Sequence, residues 1–289
     1  MIVQQLINGI TAGSIYALIA LGYGMIASIL EMINFAHGDT YMFGVFICMT
    51  LLSHGVPPIL AIVFAITCGC LLGVIIERLA YRPLRNANRI APMISAVGVA
   101  LILRNVAQLI WGPAAYSFPA LLPRTIIDIV GVKLPILQLY IFSIALTLVV
   151  TFSLILKRLR IGWAVRAVCQ DIGAARLVGI PADRIITLVY ALGAGLGIAG
   201  GILYSIYYNA VFIGMGFSGT MKAFTACIVG GLGNLYGACL GGLGLGIVES
   251  LTSGFISSAY RDAITFAVLI IMLVFKPSGL LGQRVGQKV

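Results

Sequence analysis

Long apolar runs recur along this chain with almost no charge inside them, and basic residues gather in the gaps between. The runs at 6–30, 59–76, 90–111, 136–156 and 185–208 approach or exceed the roughly 20 residues that a helix needs to cross a hydrocarbon core. A chain of 289 residues that is 61% hydrophobic and 9% charged cannot hide that apolar surface in a soluble core, because soluble domains carry about 25% charged residues. The fold class is therefore all-α, a polytopic membrane protein. About eight transmembrane helices fit the run lengths, some of them broken or re-entrant at glycine-rich segments.

The formal charge of +10 reports topology and not a nucleic-acid partner. Arg78, Arg82, Arg85 and Arg89 form one cluster, Lys157, Arg158, Arg160, Arg166, Arg176 and Arg184 a second, and Lys276, Arg284 and Lys288 a third. All three lie between or after apolar runs, as cytoplasmic loops do under the positive-inside rule, which places the C-terminus in the cytoplasm and the chain in lipid. Residues Met1 to Gln5 carry no basic side chain and lead straight into a run of spanning length, so no cleavable signal peptide is expected. The six cysteines suggest no disulfide framework. Five sit in apolar surroundings, and Cys68 and Cys70 point apart on a helix with no histidine beside them to complete a metal site.

One polar cluster interrupts the first half. MINFAHGD, with Glu31 just before it, places Asn34, His37 and Asp39 between two apolar runs, where polar groups are costly enough to be functional candidates. The run that follows, 41–52, holds about a dozen residues and is short for a crossing, so the cluster itself is expected to dip into the membrane as part of a broken helix. Glu77 and Arg78 then open a basic loop in which acid and base are expected to satisfy each other, with Tyr81 as an interfacial anchor. Arg104 stands near the outer end of its span and is expected to snorkel towards headgroups. The proline-rich connection 112–135 contains TIIDIVGVKLP, a candidate hairpin around Gly131 that offers a surface to an extracytoplasmic partner.

The longest polar interruption, RAVCQDIGAARLVGIPADR at 166–184, is too short for a domain. It is expected to form a short helix, a stop at Gly179 and a restart at Pro181, either as a docking surface or as a solvated turn. Gly193, Gly197 and Gly201 then recur at four-residue spacing, as do Gly233, Gly237 and Gly241, and bare helix faces of this kind mark close helix packing in lipid. The GGLGN turn divides two short helical pieces. It is no phosphate loop, since no Gly-Lys-Ser/Thr follows. Glu249 is a lone acid near the end of the second piece.

MINFAHGD, ERLAYRP, MISAVG at 93–98 and MKAFTACIVGGLGNLYGACLGGLGLGIVES, in this order, resemble the permease subunits of branched-chain amino acid ABC importers, and the likeness covers nearly the whole chain. The segment 166–184 also resembles the coupling loop of ABC permeases, Glu-Ala-Ala, three residues, then Gly. Ala174, Ala175 and Gly179 keep that spacing, with Ile180 and Pro181 following, whereas Gly173 stands where the Glu belongs and Asp171 is the substitute acid. The resemblance implies a single permease domain over 1–289 with a cytoplasmic coupling loop at about 157–186. It also implies a bacterial inner-membrane location and no catalytic residue, metal or cofactor in this chain. ATP would be bound by two partner ATPase subunits. A second, related permease and an extracytoplasmic substrate-binding protein complete the expected assembly. It favours gating or path-lining roles for Asn34, His37, Asp39 and Glu249 over metal binding. Two alternatives stay open: the same fold importing urea or short amides, and an ATP-independent secondary transporter or channel with broken helices, which would have no reason to carry a coupling loop.

Overall fold

The computed structural model describes residues 2–30, 34–85, 87–88, 90–123, 125–129 and 132–282. Glu31, Met32, Arg89, Gly131, Arg284 and Lys288 lie outside them. Among the described residues eleven α-helices follow in chain order: α1 (Ile2–Leu30), α2 (Ala36–Ser53), α3 (Pro58–Ile76), α4 (Ile90–Trp111), α5 (Ile136–Arg158), α6 (Arg160–Gln170), α7 (Ile172–Leu177), α8 (Ala182–Tyr208), α9 (Met215–Gly230), α10 (Leu235–Phe255) and α11 (Arg261–Phe275). Pro58 starts α3 at a position helices tolerate, and α3 continues through a π turn, Glu77–Tyr81, and a 3-10 turn, Arg82–Leu84. The expected hairpin forms as β1 (Ile126–Ile129) and β2 (Val132–Pro135), antiparallel with Ile126 opposite Pro135.

Among the described residues, seven helices are long and apolar enough to cross a membrane, not eight. Two further helices, α2 and α9, lie inside the bundle and fall short of the length or apolarity of a span. At 16 residues and 1.5 Å per residue, α9 reaches about 24 Å, less than a hydrocarbon core of ~30 Å.

The helix at the centre is α1. Its apolar window is 94% buried, against 6% for the last span, so α1 is enclosed by the rest of the chain while α11 lies at the outside of the bundle. The reason lies in its small residues. A Cβ placed on Gly9 would sit 2.7 Å from the Ile247 Cα, and one on Gly13 would sit 2.8 Å from the Leu243 Cα. From the other side, Gly242 presses on Ala17 and Gly246 on the Gly13 backbone. On the α8 side a Cβ at Gly22 would meet the Gly193 carbonyl at 2.6 Å. Backbone therefore touches backbone along both contacts, the arrangement in which dispersion between helices is greatest in lipid.

Five of the six spaced glycines lie where a Cβ would press on another helix, on its backbone or on a side-chain ring. Gly193 faces Gly22, Gly197 faces the His37 ring, Gly201 faces the Tyr41 ring, Gly237 faces Gly230, and Gly241 faces the Ala226 carbonyl. Gly233 does not. It occupies the α9–α10 turn at φ +84° with open space around it, so its glycine serves backbone conformation and not helix packing. Asn234 then starts α10, its Oδ1 accepting from the Gly237 amide at 3.1 Å. The end of α9 is finished by the segment after α11: the Leu280 amide donates to the Val229 carbonyl at 2.8 Å and the Leu281 amide to Gly230 at 3.0 Å. The Asn234 side chain donates back to the Leu281 carbonyl at 2.9 Å. Helix-end carbonyls that have no intrahelical donor are thus paired within the chain.

Gly246→Val drives a side chain into α1 and should lower the thermal midpoint of the purified protein, a cost of about 1–3 kcal/mol or more for overpacking. Gly244→Val, two residues away where a Cβ meets open space, should change it little. Equal midpoints for the two variants would refute the α1–α10 contact.

Candidate functional site

The residues singled out at the start of α2 are all buried, and their partners come from four other helices. Asn34 accepts at Oδ1 from the Ala36 amide at 3.0 Å and from the Tyr81 hydroxyl at 2.7 Å, while its own amide donates to the Tyr23 hydroxyl at 3.2 Å. It ties the α1–α2 junction to the end of α3. Tyr81 is consequently not an interfacial anchor: it is 1% exposed, because its hydroxyl finds a partner inside.

His37 packs edge-on to Tyr23, with ring centroids 5.7 Å apart, and its Nε2 lies 3.0 Å from where a Cβ on Gly197 would stand. Neither ring nitrogen has a hydrogen-bond partner among the described residues. Asp39 is fully buried, and Arg104 on α4 donates to both its oxygens, Nε at 2.9 Å and Nη2 at 3.0 Å. Arg104 thus turns inward to a carboxylate instead of snorkelling, because a paired charge in hydrocarbon costs far less than two lone ones. The Tyr41 hydroxyl donates to the Met215 carbonyl at the start of α9.

Glu249 belongs to a separate network. Its Oε1 accepts from Lys222 Nζ on α9 at 2.9 Å and from the Tyr16 hydroxyl on α1 at 3.0 Å, with Arg261 Nε on α11 at 3.2 Å. Lys222 also donates to the Tyr16 hydroxyl at 3.1 Å and stands 3.7 Å from the exposed Asp262. The Glu249 Oε2 has no partner among the described residues. A line of charge therefore leads from Asp262, near the helix ends, inward to a buried Lys–Glu pair. The two networks flank α9, whose Gly216 backs onto Asp39 and whose Lys222 meets Glu249.

Sequence reasoning passed over Lys222, Tyr16 and the partner of Arg104. A signal was present: Asp39, Arg104, Lys222 and Glu249 are each the only formally charged residue of their helix, two acids and two bases that each need a partner from another helix. Among the described residues, no three His, Cys, Asp or Glu side chains gather as metal ligands.

The polar segment at the other end of the bundle forms two helices, not one. Asp171 is extended (φ −161°, ψ 113°) and breaks α6 from α7. Its Oδ1 caps α7 by accepting from the Ala174 amide at 2.9 Å. At the far end the Ile180 amide donates to the Ala175 carbonyl at 3.0 Å and the Gly179 amide to Arg176 at 3.0 Å, with Gly179 at φ +82°. This is the paired helix stop that glycine permits. Ala175 is buried and Ala174 exposed, while Leu177 is 90% and Val178 76% exposed, with Trp163 on α6 at 67%. Gly179, Ile180 and Pro181 line a shallow hollow of about 400 Å³ beside them.

Behind that hollow sits an ionic hub. Asp183, at the start of α8, receives Arg85 at 2.6 Å, Arg176 of α7 at 3.1 Å and Arg82 at 3.4 Å. Arg85 also pairs with the buried Glu77, which accepts from the Thr187 hydroxyl at 2.8 Å. The adjacent Glu77 and Arg78 do not pair: consecutive helical residues point apart, and Glu77 turns inward to Arg85. The hub fastens the polar segment to α3 and α8 together.

The chain matches the protein family described as branched-chain amino acid transport system, permease component, over residues 5–273. It is 40% identical to the high-affinity branched-chain amino acid transport system permease protein BraD of Pseudomonas aeruginosa, covering 99% of this chain and 97% of that one. It is 36% identical to the corresponding LivH protein of Escherichia coli K12, with the same coverage. Its fold is similar to a chain of PsaBC from Streptococcus pneumoniae in complex with Fab, at a TM-score of 0.53 and 11% identity, covering 94% of this chain and 91% of that one. With most of its length matched and its spans, broken segments and polar loop in place, the chain belongs to the permease-component family of branched-chain amino acid transport systems.

Proposed function

We propose that this chain forms one half of the pore of an ATP-driven importer and carries branched-chain or closely related neutral amino acids across the bacterial inner membrane. The observation that carries this reading is the coupling surface. Leu177, Val178 and Trp163 expose apolar side chains on an otherwise polar segment, as a docking face does, and the Asp183 hub fastens that segment to two spans. The partners it calls for are two ATP-binding subunits, a second permease subunit and an extracytoplasmic substrate-binding protein. ATP is then bound and hydrolysed on partner chains, and this chain takes no cofactor. The basic loops and the C-terminus face the cytoplasm under the positive-inside rule. The cargo follows from the relatives, whose names specify branched-chain amino acids.

A push on α7 passes as a unit through its capped ends to Asp183 and so to α8. That helix holds Gly197 against His37 and Gly201 against Tyr41, so a shift of α8 alters the packing at the start of α2. The unpaired nitrogens of His37 and Oε2 of Glu249 are groups whose hydrogen bonds form in the open path, since buried polar atoms seldom stay without partners.

Leucine uptake into proteoliposomes holding the complex and its binding protein should require ATP at the ATPase face and ignore excess urea. ATP-dependent urea uptake would keep the architecture and change the cargo, and uptake without ATP would overturn the coupling assignment. Leu177→Glu, a change on an exposed side chain, should cut ATP-dependent uptake about tenfold or more, the effect of ~1.4 kcal/mol lost at the docking contact, with the thermal midpoint unchanged.

Lys222→Met leaves buried Glu249 with Arg261 as its remaining cation and should lower the thermal midpoint, with about 3–5 kcal/mol, the cost of a wholly unpaired buried charge, as the upper bound. Lys222→Met combined with Glu249→Met should restore the thermal midpoint without restoring uptake. Full recovery of both would reduce the pair to a structural tie.

Cys169 of α6 lies 3.9 Å from the Ser28 hydroxyl of α1, and burial pushes its thiol up from the ordinary value. With Cys169 as the only cysteine, maleimide labelling should be slow at neutral pH and rise with pH as the reactive thiolate forms. It should quicken with ATP in the assembled complex; an unchanged rate would mean that α6 stays seated on α1.

A further inference from the structure

Beside the coupling surface, a groove of about 480 Å³ runs between the end of α3 and the start of α8. Its two walls carry the same order of chemistry. Val74, Arg78 and Arg82 follow one another down α3 and its continuation, and Arg184, Leu188 and Ala191 follow one another up α8. The helices are antiparallel here, with Gly73 against Tyr190 and Arg82 against Asp183. Apolar side chains therefore face each other at the inner end of the groove, and three guanidinium groups gather at its outer end.

The charge at that outer end is not neutralised by the protein. Asp183 is the only acid in the lining, and Arg85 and Arg176 already hold it at 2.6 and 3.1 Å. Arg78 and Arg184 are exposed and have no ion-pair or hydrogen-bond partner among the described residues. Both groove walls belong to helices that are candidate membrane spans, so the cations stand at the level where span ends meet lipid headgroups.

We propose that this groove binds one anionic phospholipid, with its phosphate between Arg78 and Arg184, Arg82 at the edge, and one acyl chain along Val74, Leu188 and Ala191. Guanidinium groups donate paired hydrogen bonds to phosphate oxygens, and basic clefts between spans hold the headgroups of anionic lipids on the cytoplasmic side. A soluble anion would satisfy the arginines and leave the apolar inner end unused. A lipid occupies both.

The test is native mass spectrometry of the whole transporter complex released from mixed micelles, titrated with phosphatidylglycerol or with phosphatidylcholine of the same acyl chains. The wild type should retain phosphatidylglycerol in preference, and Arg78→Gln with Arg184→Gln should weaken that retention about thirtyfold, the loss of two headgroup contacts. Ala191→Trp, which fills the apolar end and keeps every arginine, should weaken it as well. Equal retention by wild type and both variants, or no preference between the two lipids, would overturn the proposal. Occupancy by glycerol 3-phosphate to the same extent would make this a soluble-anion site. Loss of an ATPase subunit from the arginine variant, with lipid retention unchanged, would make the groove a subunit contact.

Discussion

An apolar helix in hydrocarbon gains nothing by exchanging lipid for another apolar helix, so contact between spans must come from close approach or from polar groups that lipid cannot satisfy. The first means decides the architecture here. With glycines at 9, 13 and 22 meeting Ile247, Leu243 and Gly193 backbone, α1 becomes the post around which α8 and α10 assemble, and the remaining helices are placed relative to those. A side chain at any of these points would move a whole helix, because main chain has nowhere to yield.

The second means decides where the interior is polar. Four charges on four helices form two pairs, Asp39 with Arg104 and Glu249 with Lys222; the first joins α2 to α4, and the second adds to the glycine contacts that already hold α10 against α9. Both pairs sit beside α9, a helix too short to cross. The site is thus built where the bundle is least regular, and broken helices are tolerated there because protein surrounds them.

Much of this is legible in the sequence. Run length gives the spans, TIIDIVGVKLP with its central glycine gives the hairpin, and the GGLGN turn separates α9 from α10 as its glycines suggest. The polar segment at 166–184 shows its glycine stop at 179 because that signal is local. What stays hidden depends on neighbours distant in the chain: the inward turn of Arg104, the burial of Tyr81 against Asn34, and the partnership of Lys222 with Tyr16 across 206 positions. Gly233 misleads for a different reason, since the same four-residue spacing serves packing at Gly237 and Gly241 but a turn at Gly233. In α1 the glycines at 9, 13 and 22 do signal close backbone approach in the sequence, and only the identity of the approaching helices, α10 and α8, waits for the fold.

The segment that follows α11 supplies the amides for the last carbonyls of α9, some fifty residues earlier in the chain. During synthesis α9 and its turn emerge well before those amides exist. The last turn of α9 therefore stays without two of its partners until the final span and the segment after it have been made, so a helix in the middle of the chain is finished by residues at its end.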